Sequence, residues 1–144
     1  FYHLTESTLE AALPPLLERS LTRGWKVAVQ TGSEERRDAL DAHLWTFRDD
    51  SFLAHGSDRD PFAPDQPVLL TTGPSNPTAA EIRFLVDGAE PPPLEGYTRA
   101  VFMFDGHDES QLQAARAQWK RLKDEGHELT YWQQTDGGRW ERKA

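Results

Sequence analysis

The segment 108–126, DESQLQAARAQWKRLKDEG, constrains the fold more than any other stretch of the chain. It follows Arg99–Phe104, RAVFMF, the most hydrophobic strand-like run, which is expected to be central in a sheet. Asp108 with Gln111 three residues on forms a capping-box pattern. Gly126 stands where a C-terminal cap belongs, and Lys120, Arg121 and Lys123 occupy the last turns, where the helix dipole favours cations. Leu112, Ala115, Trp119 and Leu122 recur at helical spacing and make an apolar stripe that must be buried against a second layer. Arg116, Lys120 and Lys123 follow at i, i+4 and i+7, a cation stripe beside Trp119. A large ring edged by cations on an acidic chain is the feature a functional reading has to explain.

The remaining segments alternate in kind. Phe1–Leu4 reads as a short strand. Ser7 with Glu10 is a second capping-box pattern, followed by a leucine-rich helical stripe to Leu21 that Pro14-Pro15 interrupts, so the helix either starts near Pro14 or kinks there. Gly24 ends it. Trp25–Thr31 reads as a strand, and Ser33 caps a helix running to about Trp45. Asp49–Gln66 reads as a long polar loop carrying Phe52, Leu53 and Phe62. Pro67–Thr72 reads as a buried strand, Gly73–Pro77 as a turn, Thr78–Ile82 as a helical turn and Arg83–Val86 as a strand. Glu90–Gly96, EPPPLEG, is a stiff extended connector. His127–Gln134 reads as a strand, joined through Asp136-Gly137-Gly138 to a short return strand, Arg139–Lys143. Strands alternating with helices predict a single α/β domain over residues 1–144: a mostly parallel sheet flanked by helices, with a C-terminal hairpin at one edge.

Composition narrows the function. The 144 residues suffice for one domain with a real core. No apolar run approaches the length of a membrane span, and the start has no secretory apolar region. The chain opens at Phe1, so an initiator or a few residues are expected to be missing. The absence of cysteine excludes disulfides and thiolate chemistry and suits a cytoplasmic protein. A net charge of −8 argues against a general nucleic-acid face. The charge is uneven, however. Residues 1–110 hold 9 Lys and Arg against 19 Asp and Glu, whereas residues 111–144 hold 7 against 5. The C-terminal part is therefore either a chance cluster or a local site for an acidic ligand.

Catalytic chemistry finds no motif. There is no G-x-x-x-x-G-K-[ST] and no G-x-G-x-x-G after the first strand, and Glu34 and Glu35 already occupy the helix end behind Ser33. His3, His43, His55, His107 and His127 are dispersed, so a metal would need tertiary convergence. No G-x-S-x-G elbow occurs, and Asp49-Asp50 and Asp58-x-Asp60 lack the rest of a calcium loop. No cofactor is expected. Aromatics are the better lead. Trp45, Phe47, Phe52 and Phe62 either plug a sheet edge or present a patch to a protein partner. Trp119 belongs by its stripe to the core and by Arg116, Lys120 and Lys123 to a rim. A ring at that boundary would wall a pocket for a peptide carrying one apolar group and several carboxylates. Single-stranded nucleic acid is the rival ligand, disfavoured by the overall acidity.

These residues resemble the chi-subunit family of bacterial DNA polymerase III. The resemblance runs nearly end to end: FYHL, RGWKVAV, LDAHLWTF followed by SFLAHG, PVLLTT, FLVDGAEP, FMFDGHDE, AARAQWKRLKDEGHELTYWQQ and GGRWERK. It implies a non-enzymatic adaptor of the clamp-loader complex, with an α/β fold that lacks a nucleotide site. The implied ligand is the acidic C-terminal tail of single-stranded DNA-binding protein, which ends in Pro-Phe. The family pattern A-R-x-x-[aromatic]-K falls on Arg116, Trp119 and Lys120, with Asp105 bordering the pocket. A family lysine falls near Leu112, for which Lys123 is the substitute. The psi subunit, or an equivalent clamp-loader or helicase partner, is implied at Trp45 and Phe52. From charge and hydropathy no direct nucleic-acid contact and no membrane are expected, and the isolated chain is expected to be a monomer. A nucleotide- or nucleic-acid-dependent enzyme of Rossmann-like fold is the alternative.

Overall fold

A computed structural model describes residues 1–6, 8–46, 56–57, 67–73, 79–92, 94, 97–135 and 139–143, with the side chains of residues 45, 46, 56 and 57 excepted. The elements follow the chain as β1 (Tyr2–Leu4), α1 (Leu9–Thr22), β2 (Val27–Gln30), α2 (Glu34–Thr46), β3 (Gly56–Ser57) and β4 (Val68–Thr71). Then come β5 (Ile82–Leu85), β6 (Arg99–Asp105), α3 (Glu109–Asp124), β7 (Trp132–Gln134) and β8 (Trp140–Arg142). Among the described residues the strands form one eight-stranded sheet in the order β3-β4-β2-β5-β6-β1-β7-β8. Each pairing is parallel except β7 with β8, so the C-terminal hairpin closes one edge. This is the predicted α/β architecture, with β6 central as its hydrophobicity required.

Period-two alternation sorts the core into two layers. Val101 and Met103 of β6 point into a cluster with Leu13 and Leu17 of α1 and Leu40 and Leu44 of α2. Phe102 and Phe104 point to the other side, where Ala115 and Leu122 of α3 meet them with Phe1. Thus α1 and α2 cover one face and α3 the other. β2, β4 and β5 are buried along their whole length, as strands covered on both faces are, and the polar Gln30, Thr71 and Arg83 are buried with them.

Local signals explain the ends of α3. The Asp108 carboxylate accepts from the Gln111 N–H at 3.2 Å. The reciprocal limb of the capping box is redirected: Gln111 Oε1 accepts from the backbone N–H of Asp105 at 3.0 Å, tying the helix to the end of β6. Gly126, at φ +91°, turns the chain out of the helix in the left-handed region that glycine tolerates.

Several expectations are corrected. α1 is capped by Thr8, whose hydroxyl accepts from the Ala11 N–H at 3.3 Å, and Ser7 lies outside the described residues. α1 runs through Pro14-Pro15 without a break, because the carbonyl that Pro14 leaves unserved is met by a side chain of α2. The loop 49–66 contains β3, which pairs with β4. The expected helical turn over 78–82 is absent from its described part, since Ile82 already opens β5. β7 begins at Trp132 rather than His127. Leu129 and Tyr131 of the preceding segment instead pack toward α3. The expected hairpin turn at 136–138 and Phe52 lie outside the described residues, as do Phe47 and Phe62.

Candidate functional site

The last third of α3 carries Trp119 at the seam between core and solvent. The indole is half-buried, while Arg116, Lys120 and Lys123 are exposed along the neighbouring stripe. Two rings hold the indole edge-on: Phe1, with centroids 5.1 Å apart, and Tyr131, at 5.9 Å. Phe1 in turn stacks on Phe102 at 4.7 Å. Such offset and edge-to-face contacts fix a ring beyond what area burial does. Trp119 is therefore a rigid ledge rather than a free side chain.

Behind the ledge lies a polar pair that the sequence did not announce. The Tyr131 hydroxyl and Nδ1 of His3 are hydrogen-bonded at 2.6 Å, with the donor set by the imidazole tautomer. His3 also stacks on Phe104 at 4.8 Å. Burial lowers the His3 pKa below its ordinary value. The His107 and Arg116 charges push the same way, and the Asp105 carboxylate opposes them. Burial raises the Tyr131 pKa against the pull of Arg116.

Asp105 ends β6 half-buried, and its carboxylate accepts from the His107 N–H at 2.8 Å. Gly106 follows it because no other residue fits: a Cβ there would collide with the His3 ring and come within 3.1 Å of the Leu4 carbonyl oxygen. Arg116, Trp119, Lys120, Lys123 and Asp105 therefore share α3 and the strand end that leads into it, as the sequence placed them. Phe1, His3, Gly106 and Tyr131 were missed. Their one sequence signal is the alternation of Phe1 and His3 on the same side of β1. Trp45 ends α2, its side chain outside the described residues.

Two cavities flank α3, one of about 620 Å³ touching Phe1 and Leu122 and one of about 130 Å³ touching Ala114, Ala115 and Gln118; Trp119 lines neither. A third, of about 290 Å³, lies at the C-terminal ends of β1 and β6, where α/β sheets commonly hold ligands. Here Glu6, Glu10, Asp87 and Asp105 surround it, and Arg36 bridges Glu10 and Asp87. That charge is adverse to a polyphosphate. Among the described residues no three His, Cys, Asp or Glu side chains come together to hold a metal ion.

A family model described as "DNA polymerase III chi subunit, HolC" matches residues 1–130. A curated relative from Rickettsia prowazekii (strain Madrid E), named "Probable DNA polymerase III subunit chi", is 27% identical over 85 residues. That alignment covers 59% of this chain and 52% of the relative, about half of the relative's length.

Proposed function

This chain belongs to the DNA polymerase III chi subunit family, and from that premise we propose that it is a non-catalytic adaptor of the replicative polymerase. It binds the acidic C-terminal tail of single-stranded DNA-binding protein on the rim of α3 and links it to the clamp loader. The observation that carries this reading is the half-buried Trp119, braced by Phe1 and Tyr131, beside exposed Arg116 and Lys120. In this reading the terminal Phe of the tail packs on the indole, and tail carboxylates meet Arg116 and Lys120. Lys123 receives a further carboxylate one turn along, and Asp105 borders the site by holding His107 and Gln111. Each charge-assisted contact contributes about 1.5–3 kcal/mol. Since site and ligand carry opposite charge, binding weakens as salt screens them.

A second partner, psi or an equivalent clamp-loader or helicase component, engages Trp45 and Phe52 in this reading. Among the described residues no helix is long and apolar enough to cross a membrane.

The test is a pull-down with the intact chain as bait. It is expected to recover single-stranded DNA-binding protein and to lose it when the last residues of that protein are deleted. Equal recovery of the truncated protein would overturn the reading.

A further inference from the structure

On the face of the sheet opposite α3, at the N-terminal ends of β5 and β6, lies a groove of about 270 Å³. Tyr2, Trp25, Trp132 and Trp140 provide its aromatic walls. Tyr2 sits between two of them, 4.8 Å from Trp140 and 6.2 Å from Trp132. Arg19, Arg23 and Arg99 provide its charge, and among the described residues no carboxylate lines it. The guanidinium of Arg23 lies 5.2 Å from the centre of the Trp25 ring and that of Arg99 lies 5.9 Å away, so two cations converge on one indole. Among the described residues no carboxylate is paired with these three arginines. The groove continues past Arg99 and Trp132 into the cavity of about 620 Å³, which Arg142 and Glu128 also line.

This arrangement runs against the chain as a whole. A protein with a net charge of −8 has gathered three arginines in one place with no carboxylate paired to them among the described residues, and like charges so gathered repel in the free protein. An anionic ligand relieves that repulsion. The companions of the arginines indicate which kind. A purely acidic peptide needs cations but has no use for four ring walls. A single-stranded nucleic acid uses both, with bases against aromatic and guanidinium planes and phosphates on the arginines. The expectation of no nucleic-acid contact rested on net charge, which counts charges without placing them.

We infer that this groove, formed by Trp25, Trp132 and Trp140 with Arg19, Arg23 and Arg99, binds a short stretch of single-stranded nucleic acid. None of these six residues belongs to the α3 rim formed by Arg116, Trp119, Lys120 and Lys123.

The experiment is a fluorescence-anisotropy titration of a labelled oligothymidylate of about 15 nucleotides with the intact protein, at about 50 mM salt. Binding is expected, with a salt slope of roughly −2 if three phosphates are neutralised at about 0.7 each. The Arg23→Gln/Arg99→Gln variant is expected to bind at least tenfold more weakly, with the slope reduced to about −0.7. Arg99→Gln alone should fall between, and provides a second reading should the double variant melt early. Arg116→Glu should bind the oligonucleotide as the parent does, which separates this site from the tail site. The inference is overturned if the oligonucleotide does not bind, or if the double variant binds it equally well. It is also overturned if a poly-glutamate peptide, and not the oligonucleotide, is the ligand whose affinity falls in the double variant. In that case the groove takes an acidic protein segment.

Discussion

The Nε2 of His43, on α2, lies 2.7 Å from the backbone carbonyl oxygen of Glu10, on α1. That oxygen is the acceptor which the fourth residue onward would serve in a regular helix, and the fourth residue onward is Pro14, which has no N–H. The imidazole stands in for the missing donor, so α1 crosses its prolines unbroken and is tied to α2 at the same point. The carbonyl freed by Pro15 belongs to Ala11, which is exposed and open to water.

Replacing His43 by Ala removes this substitute donor and leaves the Glu10 carbonyl partly buried. Leaving such a group unpaired costs about 1–3 kcal/mol, and the lower end applies at this half-open site. Urea unfolding of His43→Ala is expected to show a loss of about 1 kcal/mol. A variant as stable as the parent would mean that the bond contributes nothing to α1.

The helix ends and strand identities were legible because their signals are local: Asp108 before Gln111, Ser33 before Glu34, the apolar runs of β4 and β6. The start of β7 was not, because Leu129 and Tyr131 look like strand residues but are spent on α3. The cation stripe of the candidate rim was equally local. Its support was hidden, since His3 and Tyr131 meet from opposite ends of the chain. The arginine groove was hidden by averaging, for Arg19, Arg23 and Arg99 fall within the most acidic part of the sequence. Pro14-Pro15 misled because the donor that repairs the helix comes from another element.

Gly106→Ala forces a methyl group into the His3 ring and toward Leu4. Small-to-large changes at packed sites cost about 1–3 kcal/mol. Displacing His3 also breaks its bond to Tyr131, which braces Trp119. Lower stability together with weaker tail binding is therefore expected, measured by urea unfolding and peptide titration. Unchanged stability would show that the His3 ring swings aside at no cost.

His3 makes stability depend on pH in a defined direction. Its folded pKa lies below the ordinary 6.5, chiefly through burial. As the pH falls through 6.5 the unfolded chain takes up the proton before the folded one does, so stability falls until the folded ring is protonated too. Unfolding measured between about pH 7.5 and 5.5 should therefore show a loss that is smaller in His3→Asn. An identical loss in both proteins would assign it to other groups.

Two arginines should differ sharply. Arg36 pairs with Glu10 and with Asp87, but its side chain is 39% exposed. Pairs of this kind contribute at most about 1 kcal/mol, so Arg36→Ala should stay within that. Arg83 is fully buried. It donates to Gln30 Oε1, to the Gly73 carbonyl and to the Tyr97 hydroxyl. Arg83→Met leaves the first two acceptors unsatisfied and should cost at least about 3 kcal/mol. Thermal or urea unfolding of both variants checks the ranking, and the reverse order would contradict it.

The central claim is that Arg116 and Trp119 form one grip on an acidic tail, and a titration of that tail tests it most directly. A peptide ending in Pro-Phe after several carboxylates is added to the parent protein and to Arg116→Glu, with the unfolding midpoint of each recorded. Loss of one charge-assisted contact, about 1.5–3 kcal/mol, predicts affinity at least tenfold lower. The unfolding midpoint should be unchanged because Arg116 is exposed. Equal affinity of the two proteins for the peptide would contradict the account.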